Sequence, residues 1–503
     1  MNPLPVTQDS LNAAALAACD TLRGKVEPGI CQDLVLTLLF LKGISDAWQD
    51  RLEDYQRRHG EHPGLVEELL KNERFVLPPM ASFQALHAAR YEPGNGERID
   101  RALHALEDAN LAKLRDVFRD ISFNTAALGD EAHKNDLLRR LLDAFARPEL
   151  NLRESRVGSA DGVGNACEFL LRNFAVHGDR RAGECYTPPE VSLLLARLVD
   201  PQPGDEICDP ACGSGSLLMQ CSRLVHERSG SKRYALHGQE AMGSTSALAR
   251  MNLFLHGEDN HRIEWGDTLR NPRLLDGDGR LKCFDIVLAH PPLSVQGWDA
   301  EAAADDPHQR FRRGLPPRTR ADYAFILHMV ETMKPGSGRM AVVVPHGVLF
   351  RGAAEGKIRR QLVVENLLDA VIGLPEKLFH DTGIPAAVLV LRRNKRDDQV
   401  LFIDASRGRQ GGKNQNQLRA QDLDRMLATC AARRGVPAYA HLAGPAEIAG
   451  NDFNLNIPRY VHASAGPMAA DLGTVRMERH RLLGELALLE DQIAGHLRDL
   501  GHG

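Results

Sequence analysis

The chain has 503 residues, enough for roughly two or three domains. Its hydrophobic and charged fractions, 43% and 26%, are those of a globular protein and exclude a disordered or fibrous one. A net charge of −5 excludes a global positive field, so a nucleic-acid partner has to be met by local basic patches.

Residues 1–150 read as a helical domain. LVLTLLFLKGISDAWQDRLEDYQ, LHALEDANLAKLRDVF and KNDLLRRLLDAFARP mix apolar and charged residues at helical spacing, and β-branched strand-like runs are missing. The apolar stretch Leu34–Leu41 is too short to span a bilayer. It reads as a core helix, and no membrane partner is expected. A bundle that packs or binds a partner is the favoured reading of this part. No signal peptide is legible at MNPLPVTQDS, and the nine cysteines follow no pairing or metal-ligand spacing. Reduced thiols, a cytoplasmic location and no metal centre are expected.

Residues 151–410 read as an α/β domain. Short apolar runs (DEICDP, RYALHGQE, RIEWGD, FDIVLAHPP, GRMAVVVPHG, NLLDAVIGLP, AAVLVLRR) alternate with helical stretches, the pattern of a largely parallel sheet. Ligands of such sheets sit at the carboxyl ends of the strands. Residues 411–465 read as a mixed extension, with Arg407–Gln417 a polar, Gly-rich, mobile loop. Residues 466–503 read as a C-terminal helix. On it Leu482, Leu486, Leu489, Ile493, Leu497 and Leu500 form one apolar stripe, suited to docking on this chain's body or on another subunit.

Motifs fall at the strand ends. DPACGSGSLL (Asp209–Leu218) follows a strand and opens a helix. Gly213 and Gly215 allow a sharp turn and close approach to a ligand, and the free N–H groups of the helix start favour a carboxylate. Alone, this G-x-G reads equally well as a tight turn. Glu240 ends the second strand, where a carboxylate suits ribose hydroxyls. Asp267 ends the third, where one suits an adenine amino group. Together the three describe a pocket for an adenosine with a charged tail. In FDIVLAHPPLS (Phe284–Ser294) an apolar run stops abruptly at a polar residue and two prolines, as a buried strand does when its tip carries a working group. Beyond it, Arg310, Arg312, Arg313, Arg318 and Arg320 cluster in HQRFRRGLPPRTRAD. They are candidate phosphate contacts near that tip, although a solvated loop is the blander reading.

Several segments carry a family likeness: GECYTP (Gly183–Pro188), DPACGSGSLL, HGQE followed by ALARMNLFLHG, VVVPHGVLFR, LPEKLFHDTGIPAAVLVL, NLNIPRYV and LLFLKGISD. Over nearly its whole length the chain resembles the modification (M) subunit of type I restriction–modification systems, an S-adenosylmethionine-dependent adenine-N6 DNA methyltransferase. The resemblance implies a Rossmann-like methyltransferase sheet domain with an N-terminal helical domain and a C-terminal helix. It implies S-adenosyl-L-methionine as cofactor, held by Tyr186, Thr187, Pro188, Asp209, Ala211, Gly213, Gly215, Glu240, Asp267 and Thr268. It also implies double-stranded DNA as substrate and a specificity subunit that chooses the sequence. Through that subunit would come a second M subunit and the restriction subunit, with the terminal helix docking there. The catalytic tip is N-P-P-F/Y in this family. Here it is His290-Pro291-Pro292-Leu293.

Both departures touch the chemistry. The adenine N6 lone pair is delocalised into the ring, so the flipped base needs acceptors for both N6 hydrogens. In the family the Asn oxygen takes one and a backbone carbonyl takes the other. A neutral imidazole offers one acceptor nitrogen and a protonated one offers none. Leu293 lacks the π face that stacks on the base, a contact of roughly 1–3 kcal/mol. A working His290 acceptor and a catalytically impaired homologue that keeps cofactor and DNA binding are both open. A protein glutamine methyltransferase, which uses a similar tip, is an alternative in another class.

Overall fold

The computed structural model describes residues 6–157, 161–177, 186–379, 385–412, 415–462 and 472–499. Gly183–Cys185 of GECYTP, His380–Ile384, Leu500 and the side chain of Leu497 lie outside the described residues.

The N-terminal part is a helical bundle built on Gln8–Cys19, Pro28–His59, Asn95–Ala109 and Glu131–Phe145. Two of these helices start on side-chain caps. Thr7 Oγ1 accepts from Ser10 N (3.3 Å), and Asp130 Oδ1 accepts from His133 N (2.8 Å), each satisfying a donor that a helix start leaves free. Leu34–Leu41 is apolar almost all round and is buried at the centre, as such a segment must be. Among the described residues no helix is long and apolar enough to cross a membrane. The bundle's apolar core also draws on helices beyond residue 150. It takes in Leu170 and Leu171 of the helix Asp161–His177. It also takes in Ala247, Leu248, Met251 and Phe254 of the helix Gly243–Leu255, which belongs to the sheet domain. A shared apolar core therefore fuses the two parts.

The sheet has nine strands: β1 (Glu206–Asp209), β2 (Ala235–Glu240), β3 (His261–Trp265), β4 (Ile286–Ala289), β5 (Arg339–Pro345), β6 (Leu368–Gly373), β7 (Ala386–Arg392), β8 (Val400–Asp404) and β9 (Ala440–Ala443). Their order is β3-β2-β1-β4-β5-β7-β6-β8-β9. β1 to β5 are parallel, and β7 is inserted antiparallel between β5 and β6. The seven apolar runs of the sequence become β1 to β7. β8 lies inside the α/β region, where the sequence reading singles out no run for it, and β9 extends the sheet into the region read as mixed. The β9 segment AHLA carries no β-branched or aromatic residue, so the sequence offers no strand signal there. Leu418, Leu423, Met426, Tyr439 and Ile457 fill the sheet's cores, and the Tyr460 ring stacks on Phe402 at 3.8 Å. Residues 415–461 thus complete the sheet domain.

Two further expectations change. The described residues of the Gly-rich stretch are pinned: Gln410 and Gln417 exchange backbone hydrogen bonds, and Asn416 N donates to Lys377 O (2.8 Å). On the terminal helix Leu472–Asp499, the stripe residues Leu482, Leu486, Leu489 and Ile493 are 51–57% exposed. The chain's own described residues leave that stripe open, so docking on this chain's body is set aside.

Candidate active site

Register brings the strand tips to one edge. Asp209 pairs with Gly238, Glu240 with Trp265, and Ala289 with Val342, so the turns that leave β1 to β4 emerge on a common rim. After β1, Asp209 Oδ1 accepts from Ala211 N (3.0 Å) and closes a turn. Gly213 (φ +52°) and Gly215 (φ +80°) then take left-handed conformations that side chains resist, and the helix Ser216–Ser229 begins. Glu168 clamps the turn from the helical part. It accepts from Ser216 Oγ (3.1 Å) and from Asn252 Nδ2 (2.7 Å), and Asn252 also donates to Ser214 O (3.0 Å).

Polar groups tie the first three tips together. Glu240 Oε2 accepts from Gly213 N (3.0 Å), and Oε1 accepts from Met242 N (2.9 Å). Thr268 Oγ1 donates to Pro210 O (2.6 Å). Asp267 Oδ1 accepts from Leu269 N (2.9 Å) and shapes the turn after β3. Asp209 is fully buried and its Oδ2 has no partner among the described residues. Burial pushes its carboxyl up to about 8, against the opposing pull of the Ala211 N–H.

The fourth tip carries His290, 5% exposed. Its Nδ1 lies 2.9 Å from Thr187 Oγ1, and its ring packs on Phe379 with centroids 4.7 Å apart. Nε2 has no partner among the described residues. Burial lowers the imidazole from 6.5 to about 4, so the ring is neutral at physiological pH. The segment beyond is fixed by Asp322, which accepts from Ser294 N (2.8 Å) and is itself held by Arg351 (2.5 Å).

A cavity of about 330 Å³ opens on this rim. Of the sequence candidates, Tyr186, Thr187, Ala211, Gly213, Glu240, Asp267, Thr268, His290 and Pro292 line it. Pro188, Asp209, Gly215, Pro291 and Leu293 support it from behind or beside and are not in its wall. The far wall escaped the sequence reading. Pro28, Gly29 and Gln32 of the bundle, with Leu171, Phe174 and Ala175, close the cavity, so the bundle does more than pack. Glu168 and Asn252 were also missed. Asn252 carries a usable signal, a polar residue on the otherwise apolar face of ALARMNLFL.

The arginine cluster divides. Arg310 is 3% exposed. It pairs with Asp306 (2.8 Å) and donates to the carbonyls of Thr268 and Leu269 (both 2.9 Å). Arg313 is also buried, against Glu331 and Glu365. These two are corrected from phosphate contacts to braces, because their donors are consumed inside the protein. Arg312, Arg318 and Arg320 are exposed, with Arg312 near Glu331 and Arg318 near Glu301. Among the described residues no cluster could hold a metal ion. The cysteines described are free thiols.

A sheet of this order, with a glycine turn after β1 and acidic tips after β2 and β3, defines a Rossmann-like methyltransferase of the S-adenosylmethionine-dependent class. Residues 158–466 match the family described as N-6 DNA Methylase, and residues 11–145 match the HsdM N-terminal domain. The chain is 30% identical to the Type I restriction enzyme HindI methylase subunit of Haemophilus influenzae, across 81% of this chain and 93% of that protein. It is 29% identical to the Type I restriction enzyme MjaVII methylase subunit of Methanocaldococcus jannaschii, across 90% and 78%. The crystal structure of a type I restriction-modification system methyltransferase subunit from Streptococcus thermophilus superimposes with a TM-score of 0.79 at 32% identity, covering 90% of this chain and all of that one. The chain belongs to the N-6 DNA methylase family, among the methylase subunits of type I restriction enzymes.

Proposed function

We propose that this chain binds S-adenosylmethionine in the rim cavity and methylates N6 of an adenine flipped out of double-stranded DNA. A specificity subunit would choose the sequence. The observation that carries the reading is the meeting of two sets of groups in one cavity: the glycine turn with Glu240 and Asp267, and a neutral imidazole whose Nε2 is without a partner among the described residues. The volume falls in the range of about 300–1,000 Å³ typical of small-molecule sites. The cavity also offers the carboxylates and helix start that an adenosine with an amino-acid tail needs. When bound, the cofactor supplies an electrophilic methyl on a sulfonium. The protein's part is to exclude water, hold the base, and accept one N6 hydrogen at His290 Nε2, drawing the nitrogen lone pair out of conjugation.

Arg312, Arg318 and Arg320 remain as the DNA-facing set. The open stripe on Leu472–Asp499 suits a helix of the specificity subunit, which would bring a second methylase subunit and the restriction subunit into one complex. The match of residues 11–145 to a type I methylase domain leaves the glutamine-methylating alternative without support.

A catalytically impaired version of the same enzyme is favoured by one observation. Leu293 is half-buried, is absent from the cavity wall and offers no face to a base. The test is methyl transfer to DNA with the specificity subunit present, for this chain and for His290→Asn combined with Leu293→Phe. A correctly placed acceptor and a stacking ring should raise the rate by about 100-fold, the scale of a misplacement near 1 Å. An unchanged rate would show that the tip is not limiting.

A further inference from the structure

Neutral imidazole carries one hydrogen on two nitrogens, and the partner of one nitrogen decides the character of the other. At His290 that partner is Thr187, whose Oγ1 is 2.9 Å from Nδ1. A hydroxyl can donate or accept. If Thr187 donates to Nδ1, the ring hydrogen sits on Nε2 and the tip meets a substrate amino group as a second donor. If Nδ1–H donates to Oγ1, Nε2 is the acceptor and the hydroxyl hydrogen must go to another group. Nε2 is buried and without a partner among the described residues, and the Phe379 ring packs against the imidazole. The tautomer is therefore set at the Thr187 side. Thr187 lines the same cavity as Ser214 and Ser216, at a helix start where carboxylates are held by free N–H groups.

We infer that Thr187 is a positioning residue that sets the tautomer of His290, and that a carboxylate-bearing ligand in the cavity turns Nε2 from donor to acceptor by taking the Thr187 hydroxyl hydrogen bond. The inference rests on the proposed cofactor site. The hydroxyl keeps its hydrogen and rotates it from Nδ1 to the carboxylate. The ring loses a proton at Nε2 and gains one at Nδ1, so its charge is unchanged. Amino-group acceptance thereby becomes conditional on a ligand with its amino-acid tail in place. An asparagine amide, whose oxygen is an acceptor in any case, would not need this arrangement.

The experiment is ring-nitrogen NMR of the full chain labelled with 15N-histidine, the His290 signals being identified by their loss in His290→Asn. Three samples are compared: the free protein, the protein with S-adenosylhomocysteine, and the protein with 5′-methylthioadenosine, which lacks the amino-acid tail. Nε2 is expected to give a protonated-type shift in the free protein, an unprotonated-type shift with S-adenosylhomocysteine, and no change with methylthioadenosine. In Thr187→Val the response to S-adenosylhomocysteine should vanish, and in Thr187→Ser it should return. An Nε2 shift that is the same with and without bound S-adenosylhomocysteine overturns the inference, as does a wild-type response in Thr187→Val. Calorimetry on the same samples separates the two levels. If S-adenosylhomocysteine does not bind the wild-type chain, the cofactor site itself is refuted and the inference falls with it.

Discussion

Around β1, β2 and β3 the rim's polar groups hold one another. Glu240 spends both oxygens on backbone N–H groups of two neighbouring turns, Thr268 reaches back to Pro210, and Glu168 clamps the glycine turn from the far side of the cavity. Around β4 the provision is sparser. His290 has one hydrogen bond and one bare nitrogen among the described residues, and the half-buried Leu293 is absent from the cavity wall. On the proposed reading, the first half is preorganised to hold the cofactor, and the second would be completed by cofactor and substrate. That reading makes binding and transfer separable, so that a sequence change at β4 would alter one without the other.

The most severe way to break that contrast is to loosen the preorganised half from beneath. Arg310 ties the turn after β3, through the carbonyls of Thr268 and Leu269, to a buried ion pair with Asp306. Arg310→Ala strands Asp306 in the interior and should lower stability by about 3–5 kcal/mol, seen as a lowered denaturant midpoint of the full chain. A loss below about 1 kcal/mol would mean that the brace is dispensable and that the first half owes its order to something else.

Glu240→Ala strikes the same half more gently. Two N–H groups lose their acceptor, at about 1–3 kcal/mol for a buried unsatisfied group, and the proposed ribose contact goes too. S-Adenosylhomocysteine affinity should fall by about 10–100-fold in calorimetry. Equal affinity in the variant would remove Glu240 from the binding site.

Much of the first half was legible because strand tips announce themselves. ICD, HGQE and WGD each pass from apolar residues to an acid within a few positions, and the parallel sheet brings such ends together. The fate of the arginines was not legible from composition, since charge in a sequence says nothing of burial. One clue existed, in that Asp306 precedes Arg310 by four residues, but Glu331 and Glu365 reach Arg313 from distant elements. The bundle's share of the cavity was hidden for the same reason. Pro28 and Gln32 meet Thr187 and Glu240 around one cavity only through folding, and no local period encodes that meeting.

The second half can be sharpened by pH. His290 titrates near 4 in the folded chain against an ordinary 6.5. Transfer should therefore be nearly level from pH 8 to about 5.5 and fall below that as Nε2 gains a proton. A decline centred near 6.5 would show an exposed imidazole. Stability carries the same sign at this residue. Between 6.5 and 4 the unfolded chain binds the extra proton, so stability falls as pH falls through that window. Asp209 acts the other way. Its carboxyl, raised to about 8, keeps a proton that the unfolded chain has released above about 4, so stability is lost as pH rises toward 8. The substitution Asp209→Asn should remove the loss between about 4 and 8 and leave the His290 rise between 4 and 6.5 unopposed.

The smallest effect belongs to the outermost groups. Arg318 and Arg320 lie exposed beyond the second half, and the Arg318 ion pair with Glu301 joins side chains 73% and 72% exposed. Such a pair contributes little to folding, so Arg318→Gln with Arg320→Gln should leave the unfolding midpoint in place. If both arginines meet phosphates, each neutralised contact should reduce the slope of log affinity against log salt by roughly 0.9. DNA binding by the chain with its specificity subunit would then weaken alike on every sequence, since phosphate contacts carry no base information. An unchanged slope would return both residues to the solvated loop and leave Arg312 as the remaining exposed arginine of the cluster. A change confined to one DNA sequence would mean that they read bases. The sparse half of the rim would then contribute to choosing DNA as well as holding it.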